Sequence, residues 1–222
     1  MLICENFVLV FLAKWELRGF AALTSQGKYC LIGAGIMDLY FRGKLMLEGK
    51  RLIVIDPNPT GVEFLDEILN QIKDSKRIRK VSSWLYALSH RNFIERETLV
   101  FKSLENQGIL QCERRVHVKI FENWRYSFIK PEVVQSIMKQ IENAFIDSAD
   151  PDIECLCLTY LLKIARVYNN CISKKYRSRI YQRMQILLRD SNYDPTHLDL
   201  LKRIKKDIKN ALSKGGIELL PY

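Results

Sequence analysis

The sequence predicts a mainly α protein: a helical-bundle core with surrounding amphipathic helices and two short β-hairpins. Three observations predict it. Apolar residues recur at helical spacing, as at Val62, Leu65, Ile68, Leu69 and Ile72, which share one helical face. Two segments, Lys44–Asp56 and Ile109–Lys130, hold β-prone runs on either side of a polar centre, which is the hairpin pattern. From Pro131 onward the pattern is helical throughout. With 222 residues, 48% of them apolar, the chain can bury one substantial core without staples, so a single domain over residues 1–222 is expected.

The elements follow in order. Residues 2–13 read as a buried helix: the run is apolar but carries Glu5, lacks leading basic residues and is shorter than a membrane span. Any membrane role is therefore expected to be peripheral. A second helix, 31–41, closes at Gly43, and the first hairpin turns at Glu48-Gly49. The turn "PNPTG" leads into a helix from Val62 to Lys73, and "DSKRIRK" (74–80) forms a polar basic joint. A short helix follows at Val81–Ser89 and a longer one at Glu95–Gln107, ending at Gly108, then the second hairpin, with its turn at Glu122-Asn123 and Trp124 near the tip. Helices are expected at 132–147, 152–171, 173–189 and 197–213.

The stretch "YCLIGAGIMDLYF" (29–41) resembles a nucleotide-binding turn and is better read otherwise. Asp38 stands where a dinucleotide fingerprint needs its third glycine, and a carboxylate there repels pyrophosphate. Small residues Gly33, Ala34 and Gly35 suit a helix that packs closely on its neighbours. Catalytic chemistry finds no footing either. His90, His117 and His197 have no chelating spacing, and adjacent Asp66 and Glu67 diverge on a helix, where the N-terminal dipole accounts for them. Cys4, Cys30, Cys112, Cys155, Cys157 and Cys171 form no CxxC pair and read as reduced thiols of a cytosolic compartment. No enzyme activity and no cofactor are implied.

Charge points elsewhere. The net charge is +10, and residues 163–222 carry fourteen Lys and Arg against five Asp and Glu, a field that attracts phosphate on lipid or nucleic acid. Lys175, Arg179 and Arg183 line one helical face; Lys202, Lys205, Lys206 and Lys209 lie beside the apolar stripe Leu201, Ile204, Ile208 and Leu212. Each face reads either as a membrane-binding or partner-binding surface or as the solvated side of a docked helix. On the second hairpin, Trp124 and Tyr126 alternate with Arg125 near Arg114, Arg115 and Lys119, an aromatic-basic mixture suited to lipid headgroups. The plainer reading is that one face of this hairpin packs on the helices.

The order of "GIMDLYFRGKLML", a hairpin, "DPNPTGVEFLDEIL", a helix with Trp84, "LENQGIL" before the second hairpin, and "CLTYLLKIARVYNNC" resembles the Golgi phosphoprotein 3 family over roughly residues 2–190. The resemblance implies a helical domain whose β-hairpin dips into the membrane beside a basic pocket. In eukaryotic members that pocket binds phosphatidylinositol 4-phosphate and the protein helps retain Golgi glycosyltransferases; bacterial members occur as well. Lacking an acidic N-terminal extension, this chain looks like a minimal, bacterial-like member. The family's headgroup Trp and Arg map to Leu23 and Ile32, and its second arginine pair falls near Arg91 and Arg96.

The expected function is a peripheral membrane-binding adaptor, cytoplasmic and docked on an anionic phospholipid surface, with phosphatidylinositol 4-phosphate as a specific ligand and protein clients as further partners. Arg91, Arg96, Arg114, Arg115 and Lys119 would bind headgroups, while Trp124, Arg125 and Tyr126 would enter the membrane. The alternative is a winged-helix-like nucleic-acid-binding protein, because a helix, a glycine and a basic hairpin follow one another from Glu97 to Phe128. The charge of residues 95–107, Arg96 and Lys102 against Glu95, Glu97 and Glu105, is wrong for a major groove. A scaffold without a ligand of its own is the third reading.

Overall fold

The computed structural model describes residues 1–15, 23–117, 121–147, 149–189 and 192–214. These residues form α1 (Ile3–Trp15), α2 (Ser25–Phe41), β1 (Leu45–Glu48), β2 (Arg51–Val54), α3 (Glu63–Lys73), α4 (Val81–His90), α5 (Phe93–Asn106), β3 (Leu110–His117), β4 (Phe121–Phe128), α6 (Pro131–Ile146), α7 (Ile153–Ile164), α8 (Tyr168–Cys171), α9 (Arg177–Leu187) and α10 (Pro195–Lys214). The class is mainly α, with two antiparallel strand pairs, as the sequence predicts.

Helix α2 is the axis of the bundle. Residues Tyr29 to Leu39 are buried on every side, and the helix packs against α1, α3, α4, α7 and α10. A helix apolar all round has no solvent face to present, so it takes the centre. It starts at Ser25, earlier than residue 31, because the Thr24 hydroxyl accepts the Gly27 N–H at 3.1 Å and caps the first turn. Its glycines are contact points. A Cβ on Gly33 would lie 3.0 Å from Ile204 of α10, and one on Gly35 would lie 2.7 Å from Ile68 and 2.8 Å from Phe64 of α3. With helix on both sides of Gly33 and Gly35, no phosphate-binding strand-to-helix turn exists here.

Asp38 and Asp66 are both structural acceptors. Asp38 takes the N–H groups of Ile3 and Cys4, each at 2.9 Å, and so satisfies two buried donors at the start of α1 that have no intrahelical partner. Burial raises its carboxyl to about 6 in spite of those bonds. Asp66 ties the turn before α3, accepting from Thr60 N at 2.6 Å, Thr60 Oγ1 at 2.7 Å and Gly61 N at 3.2 Å. The sequence reading of dipole stabilisation alone understated it.

Three expectations are corrected. The helix expected over 152–171 breaks after Ile164: Arg166 adopts a left-handed φ of 60°, Val167 N–H returns to Leu162 O at 3.0 Å, and Lys14 Nζ holds Arg166 O at 2.8 Å. The helix expected over 173–189 is the shorter α9. The second hairpin pairs Leu110 with Phe128 through His117 with Phe121, so Glu122 and Asn123 lie inside β4 opposite Val116 and Arg115. Register is set at the base, where Leu110 enters the core and Ile129 N–H donates to Ile109 O at 2.9 Å. Trp124 consequently pairs with Arg114, away from the tip.

Candidate functional site

The joint between α3 and α4 and the corner between α4 and α5 enclose a recess of about 450 Å³. Lys76, Arg77, Arg79, Trp84, Arg91 and Arg96 line it, with Asp74 as the carboxylate among the lining residues. The joint is held at both ends. Ser75 Oγ donates to Arg77 O at 2.8 Å and accepts Arg77 N–H at 3.4 Å, while Arg79 O accepts the Leu52 N–H of β2 at 3.2 Å. Fixing the backbone in this way leaves Lys76, Arg77, Ile78 and Arg79 exposed in a row. Arg79 lies over the Trp84 ring, 5.0 Å from its centroid.

The two arginines picked out from the sequence share this recess and differ in state. Arg96 is 3% exposed; its Nε donates to Glu67 at 2.6 Å and its Nη1 to Leu88 O at 3.0 Å and to Arg91 O. Its charge is already matched, which makes it part of the wall. Arg91, the α4 cap, is exposed and carries no ion pair among the described residues, as is true of Lys76, Arg77 and Arg79. Tyr86 and Ile94, 60% and 64% exposed, flank Arg91 in sequence at the same corner. Sequence reasoning passed over Lys76, Arg77 and Arg79 as a polar joint; the signal was the run "KRIRK" itself.

The second hairpin is tied to α5 and α1: Cys112 N–H donates to Glu105 at 3.1 Å, and Tyr126 reaches α1. Glu5 of α1 accepts hydrogen bonds from Ser103 and Gln107 near the C-terminal end of α5, at 2.7 and 2.8 Å. At the other end of α5, Glu97 accepts the N–H of Leu23, just ahead of α2, at 3.1 Å. The hairpin leaves the C-terminal end of α5, and the Tyr126 hydroxyl donates to Leu12 O at 2.8 Å, near the far end of α1. Tyr126 anchors the hairpin to α1 and packs edge-on against Phe128. Arg114, Arg115, Trp124 and Arg125 occupy the distal part of the ladder, where only the backbone is described, and Lys119 lies outside the described residues.

Other predicted cations are placed differently. Arg179 donates to Ile146 O at 3.1 Å, and Arg183 donates to the carbonyls of Phe145 (3.0 Å), Asp147 and Ala149 and to Asp150. The α9 stripe thus closes the end of α6. Helix α10 docks its Leu201, Ile204, Ile208 and Leu212 face on α2, α4 and α7, leaving Lys202, Lys206 and Lys209 exposed and Lys205 over the Tyr160 ring at 4.6 Å. Burial lowers the Lys205 pKa, helped by the like charge of Lys209. Leu23 and Ile32 are 2% and 0% exposed, so the two positions where the resemblance puts headgroup contacts are core.

The winged-helix alternative finds no recognition helix in α5. Helix α5 buries Phe93, Arg96, Glu97, Val100, Phe101 and Leu104, and its exposed residues include Glu95, Lys102 and Glu105. Among the described residues, no helix is long and apolar enough to cross a membrane, and no three His, Cys, Asp or Glu side chains gather to hold a metal ion.

The family model of Golgi phosphoprotein 3 (GPP34) matches residues 9–206. The chain belongs to the Golgi phosphoprotein 3 family. No curated protein matches it. The matched span runs from α1 into α10, so the recess and the second hairpin both belong to the Golgi phosphoprotein 3 domain. Membership suggests a lipid-associated or adaptor role at the level of the family.

Proposed function

We propose that this protein is a peripheral adaptor that docks on an anionic membrane surface, with phosphatidylinositol 4-phosphate as the headgroup expected from its family and protein clients held by the surface left free. The observation that carries the reading is the open cationic surface at the α3–α4 joint and the α4–α5 corner, where Lys76, Arg77, Arg79 and Arg91 are exposed without ion pairs among the described residues and Ile78, Tyr86 and Ile94 are exposed apolar or aromatic neighbours in sequence. The second hairpin adds Arg114, Arg115, Trp124 and Arg125 as residues of its ladder. Each basic side chain near an anionic bilayer adds about 1 kcal/mol, and aromatic rings favour the headgroup level.

Co-sedimentation at physiological salt tests it, comparing neutral vesicles with vesicles containing phosphatidylglycerol or phosphatidylinositol 4-phosphate, with duplex DNA as competitor. Pelleting with anionic vesicles that falls in the W124A/R125A double variant supports the reading. Preference for the phosphoinositide at equal charge supports its specific form. Failure to pellet with any vesicle, or release by DNA, overturns it.

A further inference from the structure

We infer that the open edge of β1 is a docking site for an extended acidic segment of a partner protein, added to the first hairpin as a third strand and held by Lys202, Arg203 and Lys206 of α10. The inference rests on the proposed function for its protein clients and is independent of the membrane contact. The first observation is the ladder. Ile55 N–H donates to Lys44 O at 2.9 Å, and Glu48 pairs with Arg51 across the turn Gly49-Lys50. Hydrogen-bonded positions alternate along an antiparallel pair, so Met46 bonds to Ile53, and the N–H and C=O groups of Leu45 and Leu47 turn away from β2. Those outward groups have no hydrogen bond among the described residues. The far edge of the hairpin is closed instead: Leu52 N–H donates to Arg79 O at 3.2 Å, and Lys50 O accepts the Val81 N–H at 2.9 Å. One edge is sealed by the chain entering α4, and the other is a template for a further strand.

The second observation is charge. Leu47 and Gly49 share a recess of about 190 Å³ with Asp199, Lys202, Arg203 and Lys206 of α10. Lys202, Lys206 and Lys50 of the turn are exposed, and none of these cations forms an ion pair among the described residues. Asp207, 8% exposed, has its pKa raised by burial and lowered by Arg203, Lys206 and Lys50, which puts the ammonium of the turn with the cations of α10. Asp199 is the one carboxylate lining the recess, against three cations. A recess of this sign draws carboxylates. Edge-to-edge pairing with a second copy would bring two such sets of cations together, and like charges oppose it.

The pleat sets the pattern of the guest strand. Leu45, Leu47, Leu52 and Val54 share the inward face of the hairpin, while Met46, Glu48 and Arg51 share the outward one. Leu47 lines the recess, so guest side chains on its face point toward Lys202 and Lys206. Guest side chains on the other face stand beside Met46 and Glu48, where a carboxylate would meet a like charge. Acidic residues therefore belong at alternate positions, with neutral or apolar ones between them.

The test titrates nitrogen-15-labelled protein with a short peptide of alternating Glu and Val, with alternating Lys and Val as the control. Saturable binding of the acidic peptide is expected, with the Leu45 and Leu47 amides newly protected from hydrogen exchange and the Met46 amide, already bonded to β2, unchanged. Of two peptides N-methylated at every Glu or at every Val, one should bind at least tenfold more weakly and the other should keep the affinity of the parent. K202E/K206E should weaken the parent peptide at least tenfold. No saturable binding, no protection at Leu45 and Leu47, or equal loss with both methylated peptides overturns the site. Leu47→Pro removes an outward donor and leaves the pairing with β2 in place; a dimer in sedimentation that this variant abolishes would assign the edge to a second copy and overturn the acidic partner. Tighter binding of duplex DNA that K202E/K206E weakens, without protection at Leu45 and Leu47, would overturn it in favour of nucleic acid. Peptide binding by a protein that pellets with no vesicle retains this site and removes the membrane reading; pelleting without peptide binding does the reverse.

Discussion

Two arginine-rich segments of this molecule carry the same kind of charge and have opposite fates. In α9, Arg179 and Arg183 are engaged by backbone carbonyls at the end of α6, four of them counting Ile146, Phe145, Asp147 and Ala149. In the α3–α4 joint, Arg77 and Arg79 meet no carboxylate among the described residues and no carbonyl acceptor. The first segment lies beside an open helix end, whose last carbonyls have no intrahelical partner and draw in nearby donors. The second is held by its own backbone bonds to Ser75 and Leu52, which leave the side chains unengaged. A count of cations along the chain places the basic field in the C-terminal third; the structure engages Arg179 and Arg183 of that field and leaves a second open group at residues 76–91 in addition to the exposed α10 lysines Lys202, Lys206 and Lys209.

The largest expected effect separates the two arginines within the recess. R96A leaves Glu67 and two carbonyls without their buried partner and should cost about 3 kcal/mol of stability, whereas R91A should leave the melting temperature nearly unchanged; thermal and urea melts check both. Next, R77A/R79A should weaken binding to anionic vesicles by about 2 kcal/mol, roughly thirtyfold, with little change in melting. Co-sedimentation at several salt concentrations reads this, and a lost salt dependence would accompany it.

The same contrast extends to carboxylates. Glu67 is ion-paired, but Glu97, beside Arg96, is buried with the Leu23 N–H as its one donor among the described residues and the Lys28 charge nearby, and burial raises its pKa from 4.5 to about 7. A carboxyl with a raised folded pKa contributes stability that is complete below pH 4.5 and disappears as pH rises through about 7. E97Q keeps an acceptor for Leu23 N–H without a charge. It should be more stable than wild type by about 1–2 kcal/mol at pH 8 and equal to it near pH 4, as denaturant titrations at the two pH values would show. The smallest effect is expected for R183A, about 1 kcal/mol of stability with vesicle binding unchanged, because its carbonyl partners can turn to water.

Much of the fold was legible because its signals are local. Helical spacing of apolar residues marked α3 and α10, the Glu48-Gly49 turn marked the first hairpin, and crowding around Gly33 and Gly35 followed from small residues in an apolar helix. The second hairpin was legible as a hairpin and misplaced in register, since a buried base, not a turn sequence, sets its pairing. The candidate site was half legible. Arg91 and Arg96 came from the resemblance, but nothing in their sequence context says that one is a wall residue and the other open.

By itself the sequence determined the helical class, the two hairpins, the packing role of the α2 glycines and a net basic character, all of which depend on residue type and spacing along the chain. Tertiary structure alone decided which cations remain available. A guanidinium is engaged or free according to whether a carboxylate or an open helix end lies within reach. Those neighbours come from elsewhere in the chain: Glu67 is 29 positions from Arg96, and Asp147 is 36 from Arg183.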